Sequence, residues 1–140
     1  VTDIIDAHQH YWNPARGDYG WLTPALAPLY RPFGPADLAP LRAAAGVART
    51  IAVQAAPTVD ETRYLLDLAR RDPSIAGVVG WVPLDAPDAR DTLAALARDP
   101  ALKGCARCCR TCPTRHGSRA RRSRPRSTRS SSSTSRSTRS

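Results

Sequence analysis

The last 36 residues contain no acid and no Leu, Ile, Val, Phe, Tyr or Trp. A stretch without large apolar side chains cannot bury enough surface to offset the entropy of ordering it. Residues 105–140 are therefore read as a disordered tail. The body, residues 1–104, lacks cysteine altogether. That excludes a disulfide framework and fits a cytoplasmic protein. No apolar run approaches the roughly 18 residues that a membrane helix needs. The N-terminus has neither the basic region nor the long apolar stretch of a signal peptide. Methionine is absent throughout, and Val1 as first residue allows a removed initiator or a non-standard start codon.

What is present divides at the same point. The body carries all twelve acidic residues and ten of the twenty-one basic ones, a formal charge of −2. The tail carries eleven Arg, ten Ser, five Thr and all four Cys. The whole-chain charge of +9 is thus a property of the tail. A nucleic-acid partner inferred from it would be a partner of the tail alone.

Along the body, short β-like runs alternate with amphipathic helical ones. Val1–Asp6 is an apolar run that ends in His8 and His10. Residues 11–34 are rich in Pro, Gly and aromatics and read as a long excursion without regular structure. Pro35–Ala45 reads as a helix with Leu38 and Leu41 inward and Gly46 as its stop. Thr50–Ala55 is a buried strand. Thr58 followed by Glu61 is a capping-box signature that opens a helix to about Arg71. Leu65, Leu66 and Leu68 of that helix are available to the core. Ile75–Val82 is another buried strand. Asp85, with Pro87 just inside, opens a helix with Leu93 and Leu96 inward, and Leu102-Lys103-Gly104 begins a fourth strand.

Apolar strands separated by helices imply an α/β fold with a parallel sheet and right-handed crossovers. An open doubly wound sheet and a closed (β/α)8 barrel both use this pattern. The first strand-to-helix turn lacks a Gly-rich phosphate fingerprint, which argues against a dinucleotide-binding sheet. Two His at the C-terminal end of the first strand suit the barrel, whose catalytic face lies there.

The chemically loaded segment is Asp6-Ala7-His8-Gln9-His10. Alternation along a strand puts His8 and His10 on one face, where two imidazoles can serve one divalent metal. Such a metal polarises a carbonyl and acidifies a bound water. His-x-His is short and also recurs by chance as polar residues at a loop mouth. Gln54 and Trp81 fall near the C-terminal ends of the second and third strands, where they can line a substrate pocket; Trp81 as a core aromatic is the plainer alternative. Trp12 and Trp21 can shape a sugar-binding mouth or simply pack the first loop. Asp6 reads as an anchor of the first strand.

Ile5-Asp6-Ala7-His8-Gln9-His10-Tyr11-Trp12 resembles the N-terminal signature of the amidohydrolase-related family, in its sugar-lactonase branch. Gly20-Trp21-Leu22, Ala45-Gly46-Val47, Val53-Gln54-Ala55, Glu61-Thr62, residues 77–82 and Leu102-Lys103-Gly104 are similar to later segments of that family, in order. The resemblance implies the first three to four units of a (β/α)8 barrel, which needs about 250 residues. It also implies hydrolysis of a small-molecule lactone or amide by activated water. It places His8 and His10 on the first metal-ligand pair, for zinc or a similar divalent ion. The remaining ligands and the general base, a further His and a late Asp, are expected on later strands. No acid follows Asp99 in this chain.

Beyond Gly104 the resemblance stops. One back-translation of Cys105–Pro113, read with a single G prefixed, spells Val-Arg-Pro-Met-Leu-Gln-Asp-Leu-Pro, a family-like continuation. Residues 105–140 are accordingly read as out-of-frame translation. Taken at face value, Cys105, Cys108, Cys109, Cys112 and His116 offer a zinc knuckle. Adjacent Cys108 and Cys109 leave no loop between the two pairs, which that geometry requires. The Arg/Ser run 119–140 can bind nucleic acid non-specifically through counterion release.

Overall fold

The computed structural model describes residues 3–106. The expected disorder of the tail, the Cys/His knuckle and the Arg/Ser run lie outside the described residues, apart from Cys105 and Ala106.

Four strands and three helices alternate: β1 (Ile4–Gln9), α1 (Pro35–Ala44), β2 (Val47–Val53), α2 (Val59–Arg71), β3 (Ile75–Gly80), α3 (Ala89–Leu96) and β4 (Leu102–Cys105). All neighbouring strands are parallel, in the order β1-β2-β3-β4. A doubly wound sheet reverses its strand order at a switch point. Here the order never reverses, as in the opening strands of a (β/α)8 barrel. Among the described residues β1 and β4 have a neighbour on one side only. Ile4 and Ile5 are accordingly exposed on β1, 57% and 41%.

The core lies between β2, β3 and α2. Leu65 and Leu66 are buried with Ala52, Ile75 and Val78, and Leu68 packs against this cluster. Helix α2 is specified at both ends. Thr58 Oγ1 accepts from the Glu61 amide at 3.0 Å. Asp60 and Glu61 occupy the first turn and Arg70 and Arg71 the last, each suited to the helix dipole. Helix α1 starts at Pro35 with the Asp37 carboxylate accepting from the Gly34 amide at 2.9 Å. Gly46 follows it at φ +67°, a left-handed conformation that glycine adopts without penalty.

Four expectations change. Leu41 is 66% exposed, not inward. Helix α1 packs mainly against β2, through residues that include Leu38, and Leu41 stays outside that contact. Leu93 is exposed, whereas Leu96 is buried. Helix α3 begins at Ala89, one turn later than Asp85, because Pro83 and Ala86 use their carbonyls in successive turns to the amides of Ala86 and Ala89. The Thr58/Glu61 capping box forms only in half. Glu61 Oε1 accepts from the Ala55 amide instead of reaching back to Thr58.

The excursion 11–34 contains only a short 3-10 turn at Pro14–Arg16 and a series of tight turns. It is tied down by its aromatics. Trp12 pairs its backbone with Phe33 and packs its ring at a tilt against the Phe33 ring, and Trp12 and Trp21 meet edge to face at 5.7 Å. Tyr11 is buried at the loop's origin, its hydroxyl 3.1 Å from Thr50 Oγ1.

Candidate functional site

Strand β1 delivers His8 and His10 together at its C-terminal end. Their rings are 4.9 Å apart, edge to face, and their Nε2 atoms are 3.2 Å apart. Asp6 turns back on its own strand, its Oδ1 accepting from the His8 amide at 3.0 Å. It therefore anchors β1, as read from the sequence.

His10 is oriented from the neighbouring strand. Its Nδ1 lies 2.9 Å from the Val53 carbonyl oxygen. A carbonyl only accepts, so Nδ1 carries the proton and Nε2 keeps its lone pair. That is the tautomer a metal-ligating histidine uses, with its second nitrogen bonded to a backbone carbonyl. Two nitrogens each about 2.0–2.1 Å from one tetrahedral zinc stand roughly 3.3–3.4 Å apart. The observed Nε2–Nε2 spacing of 3.2 Å fits a shared divalent ion. Among the described residues no group of three or more His, Cys, Asp or Glu surrounds the pair.

Gln54 follows β2 directly. Its amide donates to Val79 O at 2.8 Å, while its buried side-chain oxygen has no partner among the described residues. Trp81 follows β3 and is half-buried. Thr62 Oγ1 accepts from its amide at 2.7 Å and donates to its carbonyl at 3.0 Å. Both residues are thus at strand C-termini. Trp12 packs within the first loop and donates its indole N–H to Leu29 O at 3.1 Å. Trp21 reaches the mouth of β2, its indole N–H donating to Ala55 O at 2.9 Å.

Sequence reasoning did not find the role of Glu61. It is fully buried, 0% exposed, beside Asp18 and Tyr19 of the first loop. Burial pushes its carboxyl up to about 7; the Asp18 charge adds to this, and the Ala55 and Ala56 amides and Arg16 oppose it. Its Oε2, Asp18 Oδ1 and the Tyr19 hydroxyl are buried without partners among the described residues. The spacing Thr58-x-x-Glu61 pointed to capping, and the family-like Glu61-Thr62 pair gave it no role.

Comparison with known proteins agrees with the fold. The family model described as "Amidohydrolase" matches residues 5–130. An L-fucono-1,5-lactonase of Burkholderia ambifaria is 53% identical over 104 residues, covering 74% of this chain and 36% of that protein. An L-fucono-1,5-lactonase of Burkholderia multivorans is 42% identical over 90 residues, covering 64% of this chain and 30% of that protein. The crystal structure of an amidohydrolase from Burkholderia multivorans with bound zinc superposes with a TM-score of 0.67 at 39% identity, over 74% of this chain and 36% of that one. The chain thus spans about a third of the length of the relatives it matches. Sequential parallel strands, a histidine pair at the end of the first, and a family match over most of the length make this chain a member of the amidohydrolase family.

Proposed function

We propose that residues 1–104 are the opening units of a barrel that hydrolyses a sugar lactone, with His8 and His10 as its first two metal ligands. The observation that carries this is the paired geometry of the imidazoles. Val53 O fixes the His10 tautomer at 2.9 Å, and the two Nε2 atoms face each other at 3.2 Å. A divalent ion held there would polarise the lactone carbonyl and lower the pKa of water. The chain's own residues do the positioning. Val53 orients His10, Asp6 holds the His8 backbone, and Gln54 and Trp81 stand at the ends of β2 and β3, where they would border the substrate. The similar lactonases and the zinc-bearing amidohydrolase support both the substrate class and the ion. Residues 105–140 are proposed to be out-of-frame translation. The family match to residue 130 crosses that break, and sequencing the DNA around codon 104 decides the point.

The test is a chimera. Residues 1–104 replace the matching segment of the Burkholderia ambifaria lactonase, with which the chain is 53% identical. The chimera is expected to hydrolyse L-fucono-1,5-lactone, and His8→Ala or His10→Ala to lower kcat/KM by roughly 100-fold or more. A folded but inactive chimera, or activity indifferent to both substitutions, would overturn the reading.

A further inference from the structure

We propose that Glu61 is a positioning residue for this site: it fixes the peptide between Gln54 and Ala55, so that Val53 and Ala55 present their carbonyls to His10 and Trp21. The proposal rests on the reading that His10 belongs to the site.

Capping does not account for Glu61. Thr58 already serves as the cap, its Oγ1 accepting from the Glu61 amide. A glutamate at this position that served only the cap would point back at the Thr58 amide. Glu61 is instead fully buried, with Oε1 3.1 Å from the Ala55 amide nitrogen. Burying a carboxyl group without full pairing costs stability, so its retention here asks for a role.

Three successive peptide units at the end of β2 are each held from outside the strand. The unit joining Val53 and Gln54 accepts from His10 Nδ1 at 2.9 Å and donates to Val79 O at 2.8 Å. The unit joining Gln54 and Ala55 donates to Glu61 at 3.1 Å. The unit joining Ala55 and Ala56 accepts from the Trp21 indole at 2.9 Å. Glu61 holds the middle unit. Without it the middle unit has no fixed amide; the Val53 plane is then held by His10 and Val79 alone and the Ala55 carbonyl by Trp21 alone, so that both can tilt further.

The start of α2 also reaches the first loop. Thr58, three residues before Glu61, donates to Asp18 Oδ2 at 3.0 Å, and Arg16 pairs with the same oxygen at 2.9 Å. The charged and titratable groups around Glu61 are Arg16, Asp18 and Tyr19 of the first loop and Tyr64 of its own helix. The raised carboxyl pKa fits this burial. Oε1 can accept from Ala55 in either protonation state, and a glutamine oxygen can do the same.

The experiment uses the 140-residue chain labelled with 15N. Three signals are followed: exchange of the Ala55 amide, exchange of the Trp21 indole N–H, and the His10 ring nitrogen shifts that report its tautomer. Glu61→Met keeps volume and burial but removes the acceptor; Glu61→Gln keeps the acceptor. Glu61→Met is expected to raise Ala55 and Trp21 exchange at least tenfold and to turn His10 into a tautomer mixture. The Leu65 and Leu66 amides of α2 should keep their protection, and Glu61→Gln should retain the wild-type pattern. Wild-type behaviour of Glu61→Met, uniform loss of protection across α2, or failure of Glu61→Gln to retain the pattern would overturn the proposal. No lactone enters these measurements. An inactive chimera alongside the expected exchange pattern would therefore reject the hydrolase reading and leave the positioning role standing.

Discussion

His10 Nδ1 lies 2.9 Å from the Val53 carbonyl, joining the ends of β1 and β2 through a side chain. The bond commits the Nδ1 proton, so the Nε2 lone pair faces His8 Nε2. A pair arranged in this way should bind zinc in one step. His8→Ala and His10→Ala should each lower the affinity by about tenfold or more, and the double variant should add little, because either loss breaks the same chelate. Calorimetric titration with zinc measures this. Undiminished affinity in the double variant would place any bound zinc elsewhere.

Glu61 makes stability depend on pH. Its folded pKa is raised from 4.5 to about 7, chiefly by burial. The folded chain therefore holds this proton more tightly than the unfolded chain does. The stabilisation is fully present below about pH 4.5 and is lost as pH rises through about 7. A shift of this size corresponds to something on the order of 3 kcal/mol between those limits. Urea denaturation across that range should show a declining contribution in the wild type that is absent in Glu61→Gln. Identical pH profiles for the two proteins would contradict this origin.

The strand-helix alternation was legible because each apolar run matched one element, most plainly where it is buried, as Leu65 and Leu66 of α2 and Val78 of β3 show. The histidine pair was legible because strand alternation alone puts His8 and His10 on one face. Leu41 and Leu93 misled because periodicity marks an apolar face but not the neighbour that covers it. Both are exposed among the described residues. Glu61 was hidden for a different reason. Its sequence context, three residues after a threonine, fully satisfies a local rule, while its bond to Ala55 depends on where β2 ends. Gln54 and Trp81 could be placed at strand ends from the sequence. What holds the peptides beside them, Glu61 and Thr62, required the packed structure.

Thr62 clamps both polar groups of Trp81 through one hydroxyl, accepting from its amide and donating to its carbonyl. Thr62→Val keeps the shape and removes both bonds in a buried place. The expected cost is about 1–3 kcal/mol, measured by urea denaturation. Gly80 is coupled to the same clamp, since a Cβ built there would lie 2.8 Å from Thr62 Oγ1 and closer still to its methyl group. Gly80→Ala should therefore destabilise by a similar amount, about 1–3 kcal/mol. In Thr62→Ser, which lacks that methyl group, the cost of Gly80→Ala should shrink. Equal costs in both backgrounds would show that the crowding arises elsewhere.

The basic tail makes a prediction independent of the barrel. Residues 105–140 carry eleven arginines and no acid, while residues 1–104 sum to −2. A polycation of this kind binds nucleic acid by releasing counterions, without regard to sequence. For roughly six phosphates neutralised, affinity should fall by about a thousandfold between 50 and 200 mM salt. A chain ending at Gly104 should not bind. Fluorescence anisotropy on unrelated duplexes and single strands, over a salt series, measures both. The cysteines provide the discriminating control. If they form a zinc-dependent module, chelation of zinc or Cys108→Ser and Cys109→Ser should abolish binding, and the affinity that remains at high salt should prefer one sequence. If the segment is an out-of-frame polycation, chelation and those substitutions should change nothing. Sequence preference that survives high salt and requires zinc would make residues 105–140 a selected functional element and would remove the case for a shifted frame.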